Sequence, residues 1–415
     1  MIDSPPRRVL VVRWGVPRPD TNSADRRFVG ILERMCQRHE VTLSCPATEL
    51  PEDLGAARRH ADHLRSLGVR VPEIGVGTYD RFWFQRGLIG RTYDVIFFEY
   101  WKAAWGHLGA ARSCQPWARL IVDSVDVHFL RERSELAFRD PGPDQRATVE
   151  RNARNELQTY RAADAVVVVT VEDQQALAAL DGTPPLYRVP NIVPVHERAP
   201  GPRPPEVLFV GGFNHGPNID GIVWFVRESW PLVRAAVGDA RLTVLGHRPT
   251  PEVLALGQVD GVSVLGYVPD TSPYLDRAAV VIAPLRYGAG MKGKVSEALA
   301  RGAAVVTTGI GNQGFGAVSG EHLLVRDDPA AFAEAIIDLL RDPALAERLG
   351  RAGHALAAAT CSPEVVGTSI ERMLAEVATG ARPTLGQRLR ARLAVAKFLS
   401  GQTARAAWRL VRRGR

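Results

Sequence analysis

Short runs of β-branched and aliphatic residues alternate with helix-period segments along almost the whole chain. In the first half the runs are VLVVRW (9–14), VTLSC (41–45), DVIFFE (94–99), RLIVDS (119–124) and AVVVVT (165–170). A strand that is apolar on both faces must be covered on both faces. Continuous apolar strands separated by helices therefore predict a parallel sheet sandwiched between helix layers. The clearest helix runs from Ser23 to His39, where Phe28, Ile31, Leu32 and Met35 recur on one face.

The alternation pauses at APGPRPP (199–205), a linker by composition. It then restarts with VLFVGG (207–212), RLTVLG (241–246), VSVLG (262–266), AVVIAP (279–284) and AVVTTG (304–309). The fold class expected is α/β, with two Rossmann-like doubly wound domains facing across a cleft. Their bounds are 1–198 and 199–362. Helical patterns follow at 329–341, 343–357 and 363–377, and residues 363–379 are expected to pack back on the first domain. A length of 415 residues suits two or three domains at about 150 residues each. Ligands of such sheets bind outside the carboxyl ends of the strands, so two facing crevices suit an enzyme that joins two substrates.

Several classes are excluded. No stretch approaches the roughly 18 uncharged apolar residues of a membrane-spanning helix. The start, MIDSPPRRVLVVRWGV, has a short apolar run broken by Arg13 and no small-residue cleavage site, which argues against a secretory signal. The four cysteines, Cys36, Cys45, Cys114 and Cys361, are scattered, so neither a disulfide framework nor a zinc site is expected, and the cytoplasm is the simplest compartment. No Asp-x-Asp stands at a strand end. Asp327–Asp328 reads as a helix cap, and no metal or other cofactor is expected.

The chemistry concentrates in APLRYGAGMKGKVSEALARGAAVVTT (283–308). A buried strand runs into a loop with Gly288, Gly290 and Gly293, and a helix starts near Lys292. Glycines admit an anion close to the backbone, and a helix N-terminus offers it free N–H groups. Arg286, Lys292 and Lys294 add three cations suited to a diphosphate. Glu297, about a turn further, suits ribose hydroxyls. The Gly-x-Gly-x-x-Gly fingerprint is absent after the first strand of either domain: VRWGVP and FVGGFNHGPN both lack it, which argues against a nicotinamide cofactor.

These blocks, with FVGGFNHGPNIDGIVWFVRESWPLV (209–233), GEHLLVRDDPAAFAEAI (320–336), VPNIVP (189–194) and DSVDVHFLRER (123–133), resemble retaining nucleotide-sugar glycosyltransferases of the family 4 type, across about residues 7–378. The resemblance implies a GT-B fold and transfer of a sugar from a nucleotide-diphosphate donor to an acceptor hydroxyl. It also implies retention, the donor phosphate assisting deprotonation. Glu297 matches the second carboxylate of the family's Glu–seven residues–Glu element, which holds the donor ribose. Three departures stand out. Ala289 occupies the position of the first Glu, leaving the loop backbone or Lys292 for that contact. Gln313 stands where relatives often carry Glu. The Arg and Lys that clamp the diphosphate after the strand are missing from Phe213–Asn218, leaving Gly212 and Asn214 as donor contacts there and the cationic work to Arg286, Lys292 and Lys294.

In the first domain, Asp126 and His128 follow a buried strand, and His128 resembles the family's cleft histidine; both are expected to be catalytic. The loop WGVPRPDTNSADRR (14–27) supplies Gly15, Asp20, Asn22 and Arg26 on the acceptor side, with Ser23 a plausible N-cap. Tyr100, Trp101, Lys102 and Trp105 put aromatics beside polar groups, but the spacing of Trp101 and Trp105 reads as core. A nucleotide-sugar epimerase, a phosphorylase or a degenerate sugar-binding scaffold stays open as an alternative. The acceptor class is open too: glycan, lipid-linked or small molecule.

The net charge is +7 and the pI about 9.5, which raises the question of nucleic acid. Residues 380–415, however, hold ten cations and no acid, so residues 1–379 carry −3. With no recognition motif and a charge confined to the tail, no nucleic-acid partner is expected. Leu385, Leu389, Leu393 and Ala396 share one helical face, and a basic amphipathic tail suits an anionic membrane surface.

Overall fold

The computed structural model describes residues 5–46, 53–75, 83–88, 91–138, 142–199 and 201–378, together with Thr384 and Gly386. The basic tail at 380–415 otherwise lies outside the described residues. The first sheet holds β1 (Arg8–Val12), β2 (Glu40–Ser44), β3 (Val95–Glu99), β4 (Arg119–Asp123), β5 (Ala165–Val168) and β6 (Leu186–Arg188), in the order β2-β1-β3-β4-β5-β6. The second holds β7 (Glu206–Val210), β8 (Arg241–Leu245), β9 (Val262–Gly266), β10 (Val280–Ala283), β11 (Ala304–Thr307) and β12 (Leu324–Val325), in the order β12-β11-β10-β7-β8-β9. Every pairing between these strands is parallel. The chain reverses its direction of winding between β1 and β3 and between β7 and β10. Those switch points are where doubly wound sheets open a ligand crevice.

All five expected strands of each half are present, eight of the ten a residue or two shorter than the apolar runs and β2 and β9 of equal length. The sequence reading missed β6 and β12, which are short and only half-buried, so they lack the continuous apolar signal of the central strands.

Eight helices matter for the site and its support: α1 (Ser23–Cys36), α2 (His128–Phe138), α3 (Pro143–Ala162), α4 (Gly216–Trp224), α5 (Gly293–Ala300), α6 (Pro329–Arg341), α7 (Pro343–Cys361) and α8 (Pro363–Val377). Helix α1 is capped by Asn22, whose side chain accepts from the Asp25 N–H at 2.8 Å; Ser23 is the first helical residue and not the cap. Asp328 caps α6, accepting from the Ala330 and Ala331 N–H groups at 3.0 Å each. Helix α8 lays Val366, Ile370, Met373 and Leu374 into the same core as Phe28, Ile31, Leu32 and Met35 of α1. Helix α8 thus sits on the first domain. Among the described residues all four cysteines are free, and no helix is long and apolar enough to cross a membrane.

Candidate active site

A cleft of about 390 Å³ lies between the carboxyl ends of the two sheets. Its second-domain wall is built by the loops after β7 and β10 and by the start of α5. After β10 the chain passes Gly288 (φ 129°) and Gly290 (φ 74°), conformations that a side chain would strain. Gly290 also lies against the first domain, where a Cβ would meet the Asp126 Cβ at 3.3 Å. Helix α5 then opens at Gly293 with no side-chain cap, leaving its first N–H groups free for an anion.

Lys292 folds back on this loop and donates to the carbonyls of Ala289 (2.8 Å) and Gly290 (2.6 Å). Burial pulls its ammonium down to about 8. Lys294 is half-buried. Its Nζ donates to Asn218 Oδ1 and lies 4.4 Å from the centre of the Phe209 ring. Burial, with Lys292 nearby, pulls it to about 7. A Cβ on Gly211 would stand 2.8 Å from that Nζ, so this glycine makes room for the ammonium. The loop after β7, which lacks its own cation, therefore receives one from α5.

Arg286 is expected from the sequence to contact the donor. Its guanidinium forms a two-point pair with Asp220 (2.8 and 2.6 Å) and lies over the Phe138 and Trp224 rings. It is absent from the cleft lining and serves to tie α4 to the strand–loop junction. Gly288 is likewise off the lining, its N–H donating to Ser134 Oγ of α2 at 3.3 Å. Gln313 is also off the lining; its neighbour Gly314 donates to Glu172 at 3.3 Å. Gly212, Asn214, Lys292, Lys294 and Glu297 do line the cleft. So does His215, which sequence reading passed over; burial and then Lys294 hold it down at about 4.

The first-domain wall carries Asp20, Asn22, Arg26, Tyr100 and Asp126. Arg26 forms an ion pair across the cleft with Glu297. Asp20 pairs with His60 at 3.2 Å. Gly15 (φ 106°) lies off the lining. Asp126 accepts from Arg131 at 2.6 Å.

His128 is expected from the sequence to be catalytic. It is only 8% exposed and sits behind the cleft surface, its Nε2 3.6 Å from Asp126 and its ring 5.6 Å from that of Tyr100. Burial drives its pKa down to about 4, so the ring is neutral at ordinary pH. Its position is set by Glu156 of α3. That buried carboxylate accepts from the backbone N–H groups of His128 and Phe129 (2.9 Å each) and from the Tyr160 hydroxyl (2.6 Å). Glu156 thereby caps α2 from 28 residues away, a separation no local motif reports. Trp101 is buried as expected, but Trp105 is 48% exposed, against its reading as core.

Beneath this wall three ion pairs brace the strand ends. Arg13 meets Glu99 (3.0 Å) and Asp25 (2.9 Å), and Arg27 meets Asp123 (2.7 Å). At the far end of the cleft His247 and Tyr267 form an edge-to-face pair with centroids 6.0 Å apart, Tyr267 being 46% exposed.

The whole architecture matches solved structures. Sucrose-phosphate synthase from Thermosynechococcus elongatus superposes with a TM-score of 0.68 at 18% identity, over 89% of this chain and 98% of that one. Anabaena HepE, in complex with UDP and glucose, gives 0.64 at 14%, over 89% and 100%. A glycosyltransferase from Rickettsia africae gives 0.65 at 10%, over 91% and 100%. The fold is thus the GT-B arrangement of two Rossmann-like domains. Residues 204–342 match the family described as Glycosyl transferases group 1. Over 141 residues the chain is 31% identical to an uncharacterized 44.6 kDa protein in the cps region of Klebsiella pneumoniae, a match covering 32% of this chain and 36% of that protein. The chain spans about a third of the length of this curated relative.

Proposed function

We propose that the protein is a glycosyltransferase that moves a sugar from a nucleotide-diphosphate donor to an acceptor hydroxyl, with retention and without a divalent metal. The observation that carries this reading is the convergence of Lys292, Lys294 and the uncapped start of α5 at one end of the cleft, with Glu297 about a turn further on. Two cations and free N–H groups neutralise a departing diphosphate where its charge develops, which is electrostatic preorganisation. His247 and Tyr267 offer an aromatic rim for the base. Glu297 binds ribose once the nucleotide displaces Arg26.

In the reaction the bond between the anomeric carbon and the phosphate oxygen breaks, and its electron pair leaves with the nucleoside diphosphate. The acceptor oxygen bonds to the same carbon from the same face. Its proton passes to the departing phosphate oxygen. Asp126 orients the sugar from the first-domain wall, backed by His128. The acceptor is a glycan, a lipid-linked glycan or a small molecule. The basic tail at 380–415 favours work at an anionic membrane surface.

Calorimetry with UDP, GDP and ADP, followed by acceptor-dependent release of the nucleoside diphosphate, tests this. Lys292→Ala and Glu297→Ala are each expected to lower turnover by about 100-fold. Losses under about threefold for both would sink the site assignment.

A further inference from the structure

Three non-glycine residues among those described have positive φ: Tyr100 (68°), Val125 (60°) and Arg248 (54°). Two of them, Tyr100 and Val125, line the cleft, and they follow the neighbouring strands β3 and β4. A bulky aromatic residue scarcely populates this region, and such outliers persist only where the surroundings over-determine them. Here they do. The Tyr100 N–H donates to the Asp123 carbonyl at 3.0 Å, and the Val125 N–H to Asp123 Oδ1 at 3.0 Å. Glu99, the residue before Tyr100, is fully buried against Arg13.

Tyr100 borders the cleft. Its ring packs 5.6 Å from that of His128, and no hydrogen-bond partner for its hydroxyl stands among the described residues. A tyrosine hydroxyl this close to a packed interior usually finds a partner in the protein. We infer that Tyr100 is a specificity-determining residue on the acceptor side, its hydroxyl hydrogen-bonding a ring hydroxyl of a sugar-bearing acceptor and its ring walling the entry. This rests on the transferase reading above. The side is assigned by place: Tyr100 belongs to the first domain, across the cleft from Lys292 and Lys294.

The test uses the full chain, UDP-glucose as donor and a panel of p-nitrophenyl and octyl glycosides as acceptors. Tyr100→Phe is expected to raise the acceptor KM about tenfold, the scale of one lost hydrogen bond. The UDP dissociation constant by calorimetry should stay within twofold. Tyr100→Gly and Tyr100→Ala both lose acceptor affinity. The glycine variant should melt no lower than the alanine variant, reversing the usual rank, because glycine adopts φ 68° without strain. The inference is overturned if Tyr100→Phe leaves the acceptor KM within twofold, if UDP affinity falls as much as the acceptor KM rises, or if the wild type binds UDP yet uses no glycoside of the panel. A wild type that binds no nucleoside diphosphate overturns the transferase reading, and this inference with it.

Discussion

The two domains share a scaffold and carry opposite chemistry. Each has six parallel strands and a switch point beside its first strand. At that point the first domain buries carboxylates: Glu99, Asp123 and, behind α2, Glu156. Its strand ends are braced by arginines and hold side chains in strained backbone. The second domain places glycines there, Gly211, Gly212, Gly288 and Gly290, with two half-buried lysines beside them. One wall presents carboxylates and side chains on strained backbone, the other glycine backbone and ammonium groups. The lesson is that a doubly wound sheet sets where a ligand lies, while the loops at its strand ends set the sign of what it binds.

Lys294 is the sharpest place to break this contrast. Lys294→Met should lower transfer by about 100-fold or more, since it removes a preorganised cation at the leaving group. The melting temperature should hold or rise, because a buried charge goes with it. Stopped assays with parallel calorimetric melting read both. A loss under about threefold would mean that the second domain's anion end lies elsewhere.

A smaller effect is expected where the two walls touch. A Cβ on Gly293 would stand 2.3 Å from the Ser23 Cβ of the first domain. Gly293→Ala should therefore hold the walls apart and cost about tenfold in kcat/KM, as misplaced reactants do. Hydrogen exchange within each sheet should stay unchanged. Slower transfer with loosened sheets would mark a folding defect instead.

The smallest effect is on stability against pH, and its sign should differ between the domains. Burial lifts Glu99 from 4.5 to about 8 and Glu156 from 4.5 to about 7. Carboxyls raised in the folded state contribute stability that is present below 4.5 and lost as the pH climbs through 7 and 8. Lys294 and Lys292 are lowered from 10.5 to about 7 and about 8. Their contribution is present above 10.5 and lost as the pH falls through 8 and then 7. Between pH 7 and 9, with the base-catalysed intrinsic rate divided out, exchange protection should fall in β3 and β4 and rise in β10 and β11. The same trend in both sheets would undo the comparison.

Much of this was legible in the chain itself. Apolar runs of period two and helices of period 3.6 mark ten strands and the major helices, because burial on both faces leaves a continuous signal. The glycine loop, Lys292, Lys294 and Glu297 were readable because loop, helix start and charge fall within fifteen residues of sequence. Harder to read was what each charge pairs with. Arg286 looks like its lysine neighbours in sequence, yet Asp220, 66 residues away, takes it out of the cleft. Lys294 reaches the β7 loop through Asn218, 76 residues away.

The chain by itself thus determined the order of elements, the two sheets and the one loop able to cradle an anion. All of these follow from local periodicity, glycine's conformational freedom and residue type. The tertiary structure alone decided that Lys294 lines the cleft while Arg286 pairs with Asp220, that His128 stands behind Tyr100, and that Glu156 holds it there. Those outcomes depend on which distant side chains meet and on how far water is excluded when they do, and neither is written in the spacing of neighbours.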